Sequence, residues 1–385
     1  MKKICVVTST RAEYGVLKNT IQRIEEDADL ELKLVVTGTH VVKEYGNTID
    51  EIKKDGFPIC EIIQIMEPEK GCTVIKTMSS ALERFGKCFV SMRPDLLVVV
   101  GDRYEIMAIC EAAMVLKIPI AHISGGEITE GAIDDTIRHC ITKMSCLHFP
   151  ACETYRKRII QMGEAPETVF NYGDVGVENV YKMQYLSLEE IEKFLEFKLD
   201  TDYACVTYHP ATLGKDTPEN QIKELLIAID KFPDMKYIFT GANADEGGDV
   251  INNRIQKYVE KHHNCRYYNS LGIQRYLSLI KNCAMVIGNS SSGIIEAPCF
   301  GVPTVNVGNR QKGRLQAQSV LNCETNHKSI EMAICKARSE QFIQLAKEAK
   351  NPYGNGNTSE QIVREIKRFL TSGKGAQKKF YDINF

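Results

Sequence analysis

The run DLLVVVGD at residues 95–102 carries five consecutive Leu and Val residues and stops on Gly and Asp. A segment apolar at every position reads as a strand buried on both faces, which is the habit of parallel sheets covered by helices. The run belongs to a series. KICVVT (3–8), ELKLVVTG (31–38), EIIQI (61–65) and IPIAHIS (118–124) read as further strands. Between them LKNTIQRIEEDA (17–28), TIDEIKKDG (48–56), VIKTMSSALERFGKCFVSM (74–92) and EIMAICEAAMVLK (105–117) read as helices. Strands alternating with helices in this way predict a doubly wound parallel sheet.

The alternation then repeats. YACVTYH (203–209), KYIFTG (236–241), CRYYNS (265–270), AMVIG (284–288) and PTVNVG (303–308) read as strands. Helices are expected near 218–231, 249–262, 272–282 and 293–300. The fold class expected is therefore α/β, with two Rossmann-like parallel-sheet domains facing a central cleft. The first sheet's apolar pattern ends near TVFNYGDVGVENV (168–180), and SLEEIEKFLEFKLDT (187–201) reads as charged and connective. This places domains at 1–180 and 181–358, with the terminal segment 359–385 crossing back to the first. A length of 385 residues, 43% hydrophobic, suits two domains better than one core.

Composition excludes several partners. With 48 basic and 50 acidic residues, the chain has no electrostatic footprint for nucleic acid or an anionic membrane. No run approaches the ~20 apolar residues of a membrane span, and MKKICVVTSTRAEYG lacks the apolar segment of a signal peptide. The 14 Cys include no CxxC pair. Cys140, Cys146 and Cys152 are evenly spaced without a zinc pattern around them. A reduced, cytoplasmic protein with thiols as core filler is expected, with no metal or cofactor.

Ligands of open parallel sheets sit beyond the carboxyl ends of the strands. Arg11, Asp102, Arg103, Ser124, Glu127, His209, Asn243, Ser290, Ser291 and Arg310 all fall there. GNSSSG (288–293) follows an apolar strand and opens a helix, so its free N–H groups and small side chains suit a phosphate or diphosphate, or simply make a capped turn. Arg11 in TSTRAEYG reaches a phosphate or is a solvated loop charge. Asp102 in GDRYE is costly to bury unless paired or used, or it caps the next helix. HISGGEITEGAIDDTIRHCITK (122–143) holds Glu127, Glu130, Asp134, Asp135, Arg138 and His139, some of them caps and ion pairs. His209 precedes Pro210, which stops a strand, and Glu296 lies about a turn into a helix where it could accept from ribose hydroxyls.

STRAEYG, GDRYE, HxxGGE with IDDTIRHCITK, the strand-end HP, GNSSSGIIE and VGNRQKGR together resemble the UDP-N-acetylglucosamine 2-epimerase family, a GT-B group. They run in order from residue 8 to 314 and are closer to the hydrolysing branch. The non-hydrolysing branch typically has Pro where this chain has Ala12, and lacks the IDD-xIRH pattern. The resemblance implies Asp102, Asp134, Glu127 and His209 as catalytic candidates. It implies Arg11, Ala12, Arg103, His122, Ser124, Asn243, Ser290, Ser291, Ser292, Gly293, Glu296 and Arg310 as the UDP-sugar contacts. His209 would sit by the diphosphate. Many relatives have Glu where this chain has Ser124. Either Glu127 or Glu130 substitutes, or Ser124 works through water, or the role is less essential.

The resemblance further implies release of N-acetylmannosamine and UDP for sialic acid synthesis, by a homodimer or homotetramer. The C2 proton of such a sugar is not next to a carbonyl, so elimination of UDP across C1–C2 and hydration of a glycal is the expected route, needing a base and diphosphate donors. Alternatives are a UDP-2,4-diacetamido-2,4,6-trideoxyhexose epimerase of the legionaminic acid route, a GT-B glycosyltransferase, and an inactive UDP-sugar-binding protein.

Overall fold

A computed structural model describes residues 1–42, 48–66, 74–129, 133–210, 217–242, 247–373 and 375–383. The chain divides into two compact units, Met1–Asn179 with Tyr353–Phe385, and Val180–Pro352.

The first unit holds β1 (Lys2–Thr8), β2 (Leu30–Thr37), β3 (Ile59–Ile63), β4 (Leu96–Val100), β5 (Ile120–Ile123) and β6 (Leu147–Phe149). All pairs are parallel, in the order β3-β2-β1-β4-β5-β6. Successive strand residues point to opposite faces, so each run of apolar residues feeds two cores. Ile4, Val6, Leu34, Leu96 and Val98 enter one, together with Leu17 and Ile21 of the helix Arg11–Glu25. Cys5, Val7, Val35, Leu97 and Val99 enter the other, against the helices Val74–Met92, Tyr104–Val115 and Ile133–Met144. The last helix, Thr358–Thr371, returns from the far end of the chain and buries Ile362, Ile366 and Phe369 in the first of these cores. Each such side chain contributes roughly 1.5–3 kcal/mol of burial. Beyond it, Tyr381 N–H donates to the Gly163 carbonyl at 2.9 Å, and Lys378 Nζ lies 2.7 Å from Glu164 Oε2.

The second unit holds β7 (Tyr203–Thr207), β8 (Lys236–Thr240), β9 (Cys265–Tyr268), β10 (Met285–Gly288), β11 (Thr304–Val307) and β12 (Val320–Cys323). Its parallel order is β12-β11-β10-β7-β8-β9. Counted from its own first strand, this is the same order as in the first unit. In both, the first and fourth strands are neighbours and the connections leave them in opposite directions. That pair of strand ends is the crevice where such sheets place ligands.

Two expectations need correction. Segment 187–201 is not merely connective. Ser187 and Glu190 form a reciprocal cap on the helix Leu188–Leu195, whose Ile191 and Leu195 are buried in the second unit. The acidic residues there are a cap and a solvated face. The helix expected near 293–300 is broken. It runs only Ser291–Ile295 and continues as a 3₁₀ turn, Ala297–Phe300, containing Pro298, which has no N–H to give an α-helical bond. The strands β6 and β12 and the helices Glu153–Gln161, Val175–Lys182, His327–Ala337 and Glu340–Glu348 were not anticipated. Among the described residues, no helix is long and apolar enough to cross a membrane.

Candidate functional site

At the crevice of the first unit, β1 delivers Ser9, Thr10 and Arg11, and β4 delivers Gly101, Asp102 and Arg103. Thr10 caps the helix Arg11–Glu25. Its hydroxyl accepts from Glu13 N–H at 3.3 Å, while the Glu13 carboxyl receives the N–H groups of Ser9 at 2.7 Å and Thr10 at 3.2 Å. Arg11 opens the helix and points Nε at Glu51 Oε2, 3.1 Å away, with most of its side chain in solvent. Ala12 follows, exposed. The turn after β2 closes on the same place. Gly38 has φ +61°, and a side chain there would put Cβ 2.5 Å from the Ser9 carbonyl oxygen. Arg103 Nε donates to Glu105 Oε1 at 2.5 Å, and Glu105 is fully buried.

The acids lie on either side of Arg138. This arginine is 4% exposed and forms an ion pair with Asp102. It also donates to Thr129 Oγ1 and the Glu127 carbonyl, both at 3.0 Å, and lies 3.5 Å from Asp135. Asp135 in turn accepts from Thr129 N–H at 2.6 Å and lies 3.6 Å from His139 Nε2. Partial burial, and then the Asp102 charge, raise Asp134 above the ordinary aspartate value. One carboxyl in this neighbourhood is thus fastened in an ion pair, and Asp134 is made more basic than an ordinary aspartate.

His122 does something other than meet a ligand. It is fully buried at the end of β5. Its Nε2 donates to the Gly101 carbonyl at 2.8 Å, and Nδ1 is 3.1 Å from Thr142 Oγ1. Burial lowers it to about 3, so it is neutral and braces the turn that presents Asp102. Ser124 sits at φ +63°, a left-handed conformation that costs a non-glycine residue about 1–2 kcal/mol. Its N–H reaches the Phe149 carbonyl at 3.0 Å. The next residue must be glycine, because a Cβ on Gly125 would stand 2.9 Å from both His122 Nδ1 and Thr142 Oγ1.

In the second unit, β7 delivers His209 and β10 delivers Asn289. The Asn289 side chain joins the two ends: Oδ1 accepts from His209 N–H at 2.7 Å and Nδ2 donates to the His209 carbonyl at 2.8 Å. Gly288 has φ +135°, and a Cβ there would fall 1.9 Å from the Thr207 carbonyl oxygen. Ser290 caps the short helix, accepting from Ser292 N–H at 3.3 Å. Gly293 packs under Thr304, whose hydroxyl donates to its carbonyl at 2.9 Å. Arg310 Nη1 and Gln311 Nε2 both donate to the Asn289 carbonyl, at 3.2 and 2.8 Å. Burial raises Glu296, opposed by a bond from Ser292. The structure therefore gathers His209, Ser290, Ser291, Ser292, Glu296 and Arg310 around one pair of strand ends. Asn243 and Glu130 lie outside the described residues.

Sequence reasoning passed over Ser9, Glu13, Glu105, Asn289 and Gln311, and read Arg138 only among charges of which some cap or pair on their own helix, not as the partner of Asp102. The signal for Glu13 was the Thr-x-x-Glu spacing of a capping box. The signal for Arg138 was its place three residues after Asp135. Among the described residues, no group of three His, Cys, Asp or Glu side chains could hold a metal ion.

The two parallel six-stranded sheets define a GT-B-like fold, and comparison with known proteins gives the class of enzyme. The chain belongs to the UDP-N-acetylglucosamine 2-epimerase family, whose profile matches residues 22–367. It is 42% identical, over 89% of both chains, to a Campylobacter jejuni protein named GDP/UDP-N,N'-diacetylbacillosamine 2-epimerase (hydrolyzing). It is 41% identical to polysialic acid biosynthesis protein P7 of Escherichia coli, over 100% of this chain and 98% of that one. Among solved structures, the Neisseria meningitidis UDP-GlcNAc 2-epimerase bound to UDP-GlcNAc superposes with a TM-score of 0.77, covering 95% of this chain and 100% of that one at 18% identity.

Proposed function

We propose that the protein is a hydrolysing UDP-N-acetylglucosamine 2-epimerase. It converts UDP-GlcNAc and water to N-acetylmannosamine and UDP in the cytoplasm, for sialic acid synthesis. The observation that carries this reading is the pair of unlike acids, Asp102 fastened to Arg138 and Asp134 raised in its neighbourhood.

Asp134, raised above the ordinary aspartate value, takes the proton from C2 while the C1–O bond breaks and its electrons leave with UDP. Asp102, paired with Arg138, faces the positive charge that develops at C1. Ser290, Ser292, His209 and Arg310 receive the diphosphate, and Glu296 takes the ribose hydroxyls. Water then adds to C1 of the glycal and a proton returns to C2 from the opposite face, which inverts C2 and frees the sugar. Arg11, Arg103 and Glu127 complete the substrate contacts. No cofactor enters this sequence of steps. Self-association is part of the proposal, supported by Ile75 and Val90, 74% and 58% exposed on the helix Val74–Met92.

The Campylobacter relative supports a second reading, in which the sugar is a UDP-2,4-diacetamido-2,4,6-trideoxyhexose. Incubation with each UDP-sugar in D₂O, without an acceptor, tests both. The expected products from UDP-GlcNAc are UDP and N-acetylmannosamine with deuterium at C2. Turnover of the diacetamido sugar alone selects the second reading. Release without C2 label indicates plain hydrolysis, and turnover only with an acceptor indicates a transferase.

A further inference from the structure

Behind Arg103, the crevice of the first unit contains a buried chain of hydrogen bonds that the mechanism above does not use. Ser9 Oγ lies 2.8 Å from Glu13 Oε2 and 2.8 Å from Glu105 Oε1. Glu105 Oε1 also receives Arg103 Nε. Ser9 and Glu105 are fully buried and Glu13 is 6% exposed. The other two carboxyl oxygens, Glu13 Oε1 and Glu105 Oε2, are buried with no hydrogen-bond partner among the described residues.

Counting protons constrains this arrangement. A serine hydroxyl carries one hydrogen and can donate to one carboxylate only. If both glutamates were ionised, one 2.8 Å contact would be oxygen against oxygen with no proton between. With a proton on one carboxyl, both contacts become ordinary two-centre bonds: that carboxyl donates to Ser9, and Ser9 donates to the other. Glu105 Oε1 is engaged by the positive guanidinium of Arg103. Glu13 meets only uncharged groups, the N–H groups of Ser9 and Thr10 and the Ser9 hydroxyl. We propose that Glu13 and Glu105 hold a single proton between them through the Ser9 hydroxyl, carried on Glu13, and that this relay positions Arg103.

The surroundings agree. Burial pushes Glu13 up to about 7 against the bonds from Ser9, with Glu105 adding to the rise and Arg103 opposing it. On the turn Gly38–Val41, burial lowers His40, which bonds Thr8, to about 4, so it brings no charge. Asp134 senses both Arg103 and Glu105 electrostatically. The relay thus joins the first strand end to the fourth and ends on a cation expected to meet substrate. Glu13, Ser9 and Glu105 are positioning residues that act through Arg103.

The proton itself is tested without reference to substrate. Protein labelled with ¹³C at the glutamate carboxyls is titrated by NMR from about pH 5.5 to 8.5. One carboxyl is expected to titrate near neutrality, to be absent in Glu13→Gln, and to move in Ser9→Ala. If no glutamate titrates in that window, or the one that does survives in Glu13→Gln, the shared proton is wrong.

The positioning role rests on the proposed function, and kinetics test it. Wild-type KM is expected to rise about tenfold as pH passes neutrality, while Glu13→Gln shows no such rise. Ser9→Ala raises KM about tenfold, kcat changes little, and Ser9→Thr restores KM. Unchanged KM in Ser9→Ala overturns the positioning role. If no UDP-sugar is turned over and the titration behaves as stated, the functional reading fails and the relay stands.

Discussion

The two units share one strand order and hold their central strand ends together by opposite means. In the first, the ends of β1 and β4 are joined by ionisable groups: Glu13, Glu105 and Arg103 through Ser9, with Asp102 and Arg138 alongside. In the second, the ends of β7 and β10 are joined by an uncharged amide, Asn289, that pairs with the backbone of His209. The difference teaches where each unit can afford pH sensitivity. An amide gives a fixed frame that does not change with protonation, which suits a site for a permanently charged diphosphate. Coupled acids are costly to bury but can move protons, which suits the sugar chemistry.

Four substitutions test this contrast. The largest effect is expected on activity. Asp134→Asn should lower kcat about 10²–10⁴-fold and abolish C2 deuteration, read by mass spectrometry of the product, with UDP affinity retained. If the variant still labels C2, the proton-moving role belongs elsewhere. Arg138→Ala should cost about 3–5 kcal/mol in urea unfolding, because it leaves Asp102 facing a buried gap. A loss below 1 kcal/mol would mean the first unit does not depend on its ions.

Glu164 extends the ionic theme to the edge of the same unit. Burial opposes its ionisation, but bonds from His148, Lys143 and Lys378 prevail and lower it to about 2. Its contribution is fully present above the unfolded value near 4.5 and disappears as pH falls through about 2. Glu164→Gln should therefore lower unfolding free energy on the order of 2 kcal/mol at neutral pH, with the gap to wild type closing in acid. Melting curves by circular dichroism across that range read the result. The smallest effect belongs to the second unit. Asn289→Ala should cost about 1–2 kcal/mol, equally at pH 6 and pH 9, and weaken UDP binding in calorimetry. A pH-dependent loss would erase the contrast between the units.

Much of the architecture was legible because burial writes itself into long apolar runs. The helices 74–92 and 272–282 were read at the bounds the structure shows, Val74–Met92 and Gly272–Asn282. The strand β6 has only three residues, and β12 is only partly buried, so neither gives a periodic signal. Acidic residues hid the helix Leu188–Leu195. In the site, Asp102, His209 and Ser290 stood out because polar residues interrupt apolar strands there. Their partners did not. Arg138 is 36 residues from Asp102, Asn289 is 80 from His209, and Glu105 is 96 from Ser9. Such pairings follow from strand order, which spacing along one chain does not encode. Backbone angle was equally silent, and nothing about the letters at 124 announces a left-handed serine.

The return of helix Thr358–Thr371 to the first unit has a consequence for synthesis. A ribosome working from the amino end releases all of the opening sheet early, yet the helix Thr358–Thr371, which completes one of its cores, emerges only after the whole second unit. The middle portion, contiguous in sequence, can mature first, while the opening portion waits for Ile362, Ile366 and Phe369 to complete one of its cores. Loss of the last thirty or so residues, through a premature stop or a nick, would therefore injure the beginning of the polypeptide and spare its middle.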